Sequence, residues 1–168
     1  QLLGLLKRAP NNSEALNLVA LLYQSQENYV QSVDYFLRRL DVLPDDDRSR
    51  LYLADAYQKL QRFDEAKVVL GEVSRAEELF NAGRQMTLLV EEADGIEDAL
   101  SYLQALRGKD QAQRIQLILD RELMLQRGGR FDEAFELVNT AMDQYPDSDT
   151  LRYHRALLAV ERENIEQH

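Results

Sequence analysis

The sequence predicts an all-α fold built on one internal repeat, and three observations predict it. Seven glycines and three prolines in 168 residues fall below the average usage of about 7% and 5%, while Leu, Ala, Glu, Gln and Arg dominate, which favours long helices over turn-rich β structure. The prolines share one phase: Pro10 and Pro44 are 34 residues apart, and Pro146 lies a further 102, three times 34, beyond. Side chains recur with them, since Arg62-Phe63-Asp64-Glu65-Ala66 returns 68 residues later as Arg130-Phe131-Asp132-Glu133-Ala134. Between the two, Gly95-Ile96-Glu97-Asp98-Ala99 carries the same pattern at steps of 33 and 35, so the middle repeat is the irregular one. A fixed period of this length marks stacked supersecondary units, none of which can bury its apolar face alone.

At these residues the sequence resembles a tetratricopeptide repeat (TPR) array, and the resemblance covers essentially the whole chain. In that family the first helix of each repeat has a bulky apolar residue at position 7, a small one at 8 and an aromatic at 11. Val19, Ala20 and Tyr23 match, as do Leu53, Ala54 and Tyr57. The second helix has an aromatic at 17, small residues at 20 and 27, and proline at 32; Tyr29, Ser32 and Pro44, then Phe63 and Ala66, then Phe131, Ala134, Ala141 and Pro146 correspond. The physical reason for such a pattern is that closely crossing helices need a small side chain where their backbones approach and large ones in the neighbouring grooves. Arg39 and Glu122 stand where the pattern is small, and Thr87 and Val90 match weakly. Those places are expected to pack loosely or to be relieved by partners. The resemblance implies an all-α, right-handed superhelical solenoid of antiparallel helix pairs.

In order along the chain, 1–12 is read as a partial repeat whose residues 1–9 are the tail of a second helix. Complete repeats follow at about 13–46, 47–79, 80–114 and 115–148, with helix pairs expected over 13–44, 47–78, 80–112 and 115–146. A further partial repeat spans 149–168, so a single solenoid fragment covers 1–168. Asn12-Ser13, Asp45-Asp46-Asp47 and Asp147-Ser148-Asp149 precede helices and supply cap acceptors and negative charge where the helix dipole favours them. Any break in the array is expected near 71–82. The array is read as cut at both ends, and self-association through those ends is an expected hazard.

Composition excludes several functions. The net charge of −10 does not provide the basic face that nucleic acid or anionic lipid requires, so partners are expected to be proteins. With no cysteine there is no disulfide, thiolate nucleophile or Cys-based zinc site. No apolar run reaches the ~18–20 residues of a membrane span. No membrane contact is expected of this fragment, although its parent could be lipid-anchored. The only histidines are His154 and His168; both read as ordinary residues, and no catalytic set is assembled. Asp45-Asp46-Asp47 lacks the alternating ligand spacing of a calcium loop and reads as a cap. Glu91-Glu92-Asp94 reads as a solvated rim, Gly128-Gly129 as a helix turn without Walker spacing, and Leu2-Leu3-Gly4-Leu5-Leu6 as the buried remainder of a helix. No enzyme activity, metal or cofactor is expected.

The resemblance implies a working surface, because first helices line the concave side of such arrays and display binding residues at repeat positions 2, 5, 9, 12 and 13. Here the candidate groove comprises Asn17, Leu21, Leu51, Asp55, Arg84, Leu88, Leu119, Leu123, Tyr153 and Leu157. Its apolar stripe suits an extended or helical segment with apolar anchors. Any one of these leucines has a competing reading as packing between neighbouring repeats; the stripe as a set is the evidence. The carboxylate clamp of some family members, Lys at position 5 and Asn at 9, is absent: the first complete helix has Asn17 and Leu21, the next Leu51 and Asp55. A narrower resemblance is carried by Tyr29 to Phe36 (YVQSVDYF) and Tyr145 to Ala159 (YPDSDTLRYHRALLA). These strings are similar to proteobacterial outer-membrane TPR lipoproteins, including an adaptor for a periplasmic C-terminal processing protease. The expectation is therefore a noncatalytic scaffold or adaptor at the periplasmic face of the outer membrane, with that protease and its substrates as partners. The alternative is a cytoplasmic or secretion-system chaperone for one client.

Overall fold

The computed structural model describes residues 2–166, and His168 lies outside them. Among the described residues there are ten helices and no strand: α1 Leu2–Arg8, α2 Ser13–Ser25, α3 Tyr29–Val42, α4 Asp47–Lys59, α5 Phe63–Gly71, α6 Ala76–Asp94, α7 Ile96–Ala105, α8 Gln111–Arg127, α9 Phe131–Gln144 and α10 Asp149–Glu166. The chain divides into two compact units, residues 1–93 and 94–168.

In the first unit α2 packs on α3, α3 on α4 and α4 on α5. Alanines at the expected small positions, Ala20, Ala54 and Ala66, are fully buried among Val33, Phe36, Leu53, Tyr57, Leu70 and Leu89. Each large side chain so buried contributes on the order of 1.5–3 kcal/mol. From α1, Leu6 packs on Ala15, Leu16 and Val19, whereas Leu3 and Leu5 stay exposed. The second unit repeats the scheme, with α8 on α9 and α9 on α10, and with Ala99, Ala134, Val138, Ala141, Leu151 and Leu158 buried.

One turn recurs. Glu27 (φ 58°), Gln61 (φ 58°) and Gly129 (φ 72°) adopt the left-handed conformation at positions 34 and then 68 residues apart. After each, an amide reaches back to close the preceding helix: Asn28 N–H to the Tyr23 carbonyl at 2.9 Å, Arg62 to Tyr57 at 2.9 Å, and Arg130 to Leu125 at 2.8 Å. This is the usual way to satisfy the orphan carbonyls of a helix end. Gly128-Gly129 is thus a helix turn, while the irregular pair turns at Gly95 (φ 105°).

Caps set the starts. Asn12 accepts the Ala15 amide at 2.8 Å, Asp46 that of Ser49 at 3.3 Å, and Ser148 that of Leu151 at 3.3 Å. Two helices begin earlier than the 80 and 115 expected from the repeat, α6 at Ala76 and α8 at Gln111. Asp110 caps α8 by accepting the Gln113 amide at 2.8 Å. The entry to α6 is held from a distance: buried Asp47, 1% exposed, accepts the amides of Ser74 and Arg75 at 3.0 and 2.7 Å and pairs with Arg50 at 2.9 Å. Burial raises the pKa of Asp47, but those two amides and the Arg50 charge outweigh it and hold the carboxyl below its ordinary value.

The expectation of loose packing is corrected at three of the departures from the repeat pattern, Arg39, Glu122 and Thr87. Arg39 donates to Asp46, to Ser49 Oγ at 2.9 Å and to the Ser13 carbonyl, tying the starts of α2 and α4 to α3. Glu122, 2% exposed, accepts from Gln126 of its own helix and lies 2.9 Å from Nδ1 of His154 on α10, where an N–H on that nitrogen donates to it. Thr87 is buried and donates to the Gly83 carbonyl at 2.9 Å. A polar residue at a small position is accommodated in each case by a hydrogen-bond partner, as burial demands.

Candidate interaction clefts

In the first unit, helices α2, α4 and α6 each contribute a face to a cleft of about 520 Å³. Leu21, Gln24 and Ser25 come from α2, Leu51, Tyr52 and Asp55 from α4, Gln85 from α6, and Tyr29 from the start of α3. Leu21–Gln24–Ser25 and Leu51–Asp55 are at helical i, i+3 and i+4 spacing, which places each set on one face. Leu21, Tyr29 and Leu51 also pack against the unit's core, which fixes the walls, and Tyr52 stacks on Phe36 with ring centroids 5.7 Å apart.

Polar groups in this cleft are arranged unevenly. Gln24 Nε2 donates to Asp55 Oδ2 at 2.5 Å and approaches the Tyr52 carbonyl at 3.5 Å. Gln85 Nε2 donates to the Leu51 carbonyl at 3.0 Å, and Ser25 Oγ to the Leu22 carbonyl at 2.8 Å. Three lining groups thereby donate within the protein. Gln24 Oε1 is buried without a partner.

The second unit holds a cleft of about 470 Å³ between α8 and the start of α10, lined by Gln111, Ala112, Ile115, Gln116, Leu119 and Thr150. Its Gln116 amide donates to Asp120 at 3.0 Å. Beside it stand exposed apolar side chains: Leu123 on α8, and Tyr153, Leu157 and Val160 on α10. Residues 153, 157 and 160 follow the i, i+4, i+7 spacing of one helix face.

Of the candidate groove residues, Leu21, Leu51 and Asp55 thus share the first cleft, and Leu119 lies in the second. Leu88, Leu123, Tyr153 and Leu157 are exposed outside both. Asn17 is half-buried on α2, and Arg84 lies over the Phe80 ring at 5.8 Å. The sequence reading missed Tyr52 and Gln85, which both occupy repeat position 6. A helix face is broad enough to include the residue beside position 5. It also missed Gln111 and Ala112, for which the capping residue Asp110 was the available signal.

Among the described residues no group of His, Cys, Asp and Glu is placed to hold a metal ion. No helix among them is long and apolar enough to cross a membrane.

No protein-family model matches the chain, and no curated protein does. Solved structures do. TTC0263, a thermophilic TPR protein of Thermus thermophilus, is 19% identical with a TM-score of 0.61, over 92% of this chain and 85% of its own. YrrB, a TPR protein with an unusual peptide-binding site, is 15% identical with a TM-score of 0.55, over 97% and 84%. A chain in the structure of Naa15/Naa10 bound to HypK-THB is 19% identical with a TM-score of 0.59; the match covers 92% of this chain and spans about a quarter, 24%, of that one. The all-helical chain has the fold of TPR-like repeat proteins.

Proposed function

We propose that the chain is a noncatalytic scaffold that binds segments of partner proteins on the first-helix face of its pairs. The observation that carries this reading is the first-unit cleft, where Leu21, Leu51 and Asp55 from successive first helices converge on one open, mainly apolar space. Such a lining, apolar with a few fixed polar groups, suits an extended segment. The peptide-binding site of YrrB, a neighbour of the same fold, supports the reading.

Within it we place the chain as an adaptor that brings substrates to a periplasmic C-terminal processing protease at the outer membrane. The strings from Tyr29 to Phe36 and from Tyr145 to Ala159, similar to those of outer-membrane TPR lipoproteins, support that assignment. An adaptor of this kind works by raising the effective concentration of its two cargoes.

The test is in-cell photocrosslinking from position 88, on the α6 face one turn beyond Gln85, in the full-length protein, with mass spectrometry of the captured species. Position 68 on α5 is the control, since Val68 is exposed on a second helix. Capture of a C-terminal processing protease or a cell-wall hydrolase from position 88 alone is the expected result. Capture of a cytoplasmic or secretion client would replace the adaptor with a chaperone, and equal capture from both positions would remove the groove.

A further inference from the structure

Resting on the groove reading above, we infer that the first-unit cleft takes a partner segment bearing a lysine or arginine, its cationic head on Asp55 and its methylene stem along Leu21 and Leu51. The argument is an imbalance of donors and acceptors. Asp55 is half-buried; its Oδ2 receives the Gln24 amide, and among the described residues no lysine or arginine pairs with it. A carboxylate recessed among leucines and tyrosines has lost part of its hydration, and one neutral amide restores little of it. The lining amides of Gln24 and Gln85 and the hydroxyl of Ser25 donate within the protein. The Gln24 carbonyl oxygen adds a further acceptor without a donor. With an unpaired carboxylate in its wall and the Gln24, Gln85 and Ser25 groups each donating within the protein, the cleft favours a cation over a carboxylate.

The rest of the cleft fits the rest of such a side chain. Lys and Arg carry three or four methylenes below the charge and bury them on apolar surface while the head finds its partner. Leu21, Leu51 and Tyr29 supply that surface. The exposed Tyr52 adds an aromatic face, to which cations are attracted. The net charge of −10 draws basic segments towards the chain and repels acidic ones.

The test uses the intact chain and a random dodecapeptide library displayed on phage. A selected peptide is then synthesised in three forms: with its basic residue, with norleucine in its place, and with a photoreactive group. On the wild-type protein the norleucine form is expected to bind about tenfold more weakly, as loss of a desolvated charge pair does. On Asp55→Asn, an isostere that can still accept from Gln24, the two peptides are expected to bind alike, at the weaker level. Affinity of the basic peptide for wild type falls with salt, and that of the norleucine form does not.

Mass spectrometry of the crosslinked photoreactive peptide separates this inference from the groove reading without any variant that could misfold. Crosslinks to the cleft-lining parts of α2 and α4 with equal affinity for basic and norleucine forms would leave the groove and overturn the cation pairing. A tenfold effect that survives in Asp55→Asn would overturn it as well. Crosslinks elsewhere, or no enriched peptide, would overturn both.

Discussion

Two stretches of first helix, Ala54-Asp55 in the first unit and Glu122-Leu123 in the second, hold an acid and an aliphatic residue in opposite order at repeat positions 8 and 9. In α4 the buried position 8 is alanine, 1% exposed, and the carboxylate at position 9 faces the cleft. In α8 the carboxylate is at position 8, 2% exposed, and leucine at position 9 is 51% exposed. One residue along a helix is a rotation of about 100°, enough to move an acid from an open cleft into the packing between helices. The same chemical group then lines an open cleft in one unit and is enclosed in the packing of the other. The second unit meets the cost with His154 and Gln126. The first keeps a separate buried acid, Asp47, satisfied by two backbone amides and Arg50.

The comparison is broken most completely by imposing the second order on the first unit. Ala54→Glu with Asp55→Leu buries a carboxylate against a closely packed neighbour with no histidine to receive it. The expected loss is about 4 kcal/mol, read as rapid hydrogen exchange through α2–α5 while α8–α10 exchange as before; retained protection there would show that the order does not matter.

Asp47→Ala comes next, stranding the Ser74 and Arg75 amides and Arg50 for a loss of about 3 kcal/mol, localised at the α5–α6 junction. Its pH signature has a definite sign. Asp46 and Asp47 both have pKa values held below the ordinary 3.8. For Asp46 burial pulls the other way but is outweighed by the Ser49 hydroxyl, the Arg39 guanidinium and the Ser49 amide. Their contribution to folding is therefore complete above that ordinary value and is lost as acid titrates the folded carboxylates below it. Asp47→Asn should flatten the fall in stability below pH 4 as well as lowering the plateau above it.

His154→Ala is smaller, about 1–2 kcal/mol, because Gln126 still serves Glu122. Combined with Glu122→Ala it should cost less than the two changes summed, since the pair acts as one; strict additivity would dissolve it. Asp55→Asn sharpens the contrast from the other side, with a stability change within about 0.5 kcal/mol by thermal unfolding. A larger loss would make Asp55 a structural acid too.

Much of this is legible in the sequence. The phase of Pro10, Pro44 and Pro146 and the Arg62–Ala66 and Arg130–Ala134 strings located the helix pairs, because packing at close crossings leaves a periodic trace in side-chain size. The family resemblance put Leu21, Leu51 and Asp55 on a first-helix face, and the three line one cleft. The start of α6 was not legible, because the amides of Ser74 and Arg75 just before it are received by Asp47, 27 and 28 residues earlier in the chain. Nor was the fate of the leucine stripe. Leu21 lines a cleft whereas Leu88 and Leu123, at the same repeat position 9, stand exposed, and the difference depends on neighbouring helices, not on a residue's place in its own repeat. Arg39 and Glu122 read as mismatches because a repeat pattern records sizes and not hydrogen bonds.

Arg39 has a consequence for how the first unit melts. Its one guanidinium reaches the starts of two first helices, through the Ser13 carbonyl and through Asp46 and Ser49. In a linear array, the balance between the intrinsic stability of each repeat and the coupling across each interface decides whether repeats unzip singly or in blocks. The bond to Ser13 lies within one repeat, whereas those to Asp46 and Ser49 at the start of α4 join it to the next and add to the coupling. The pairs α2–α3 and α4–α5 should accordingly unfold as one cooperative block, and an arginine that breaks the consensus becomes the residue that sets the size of that block.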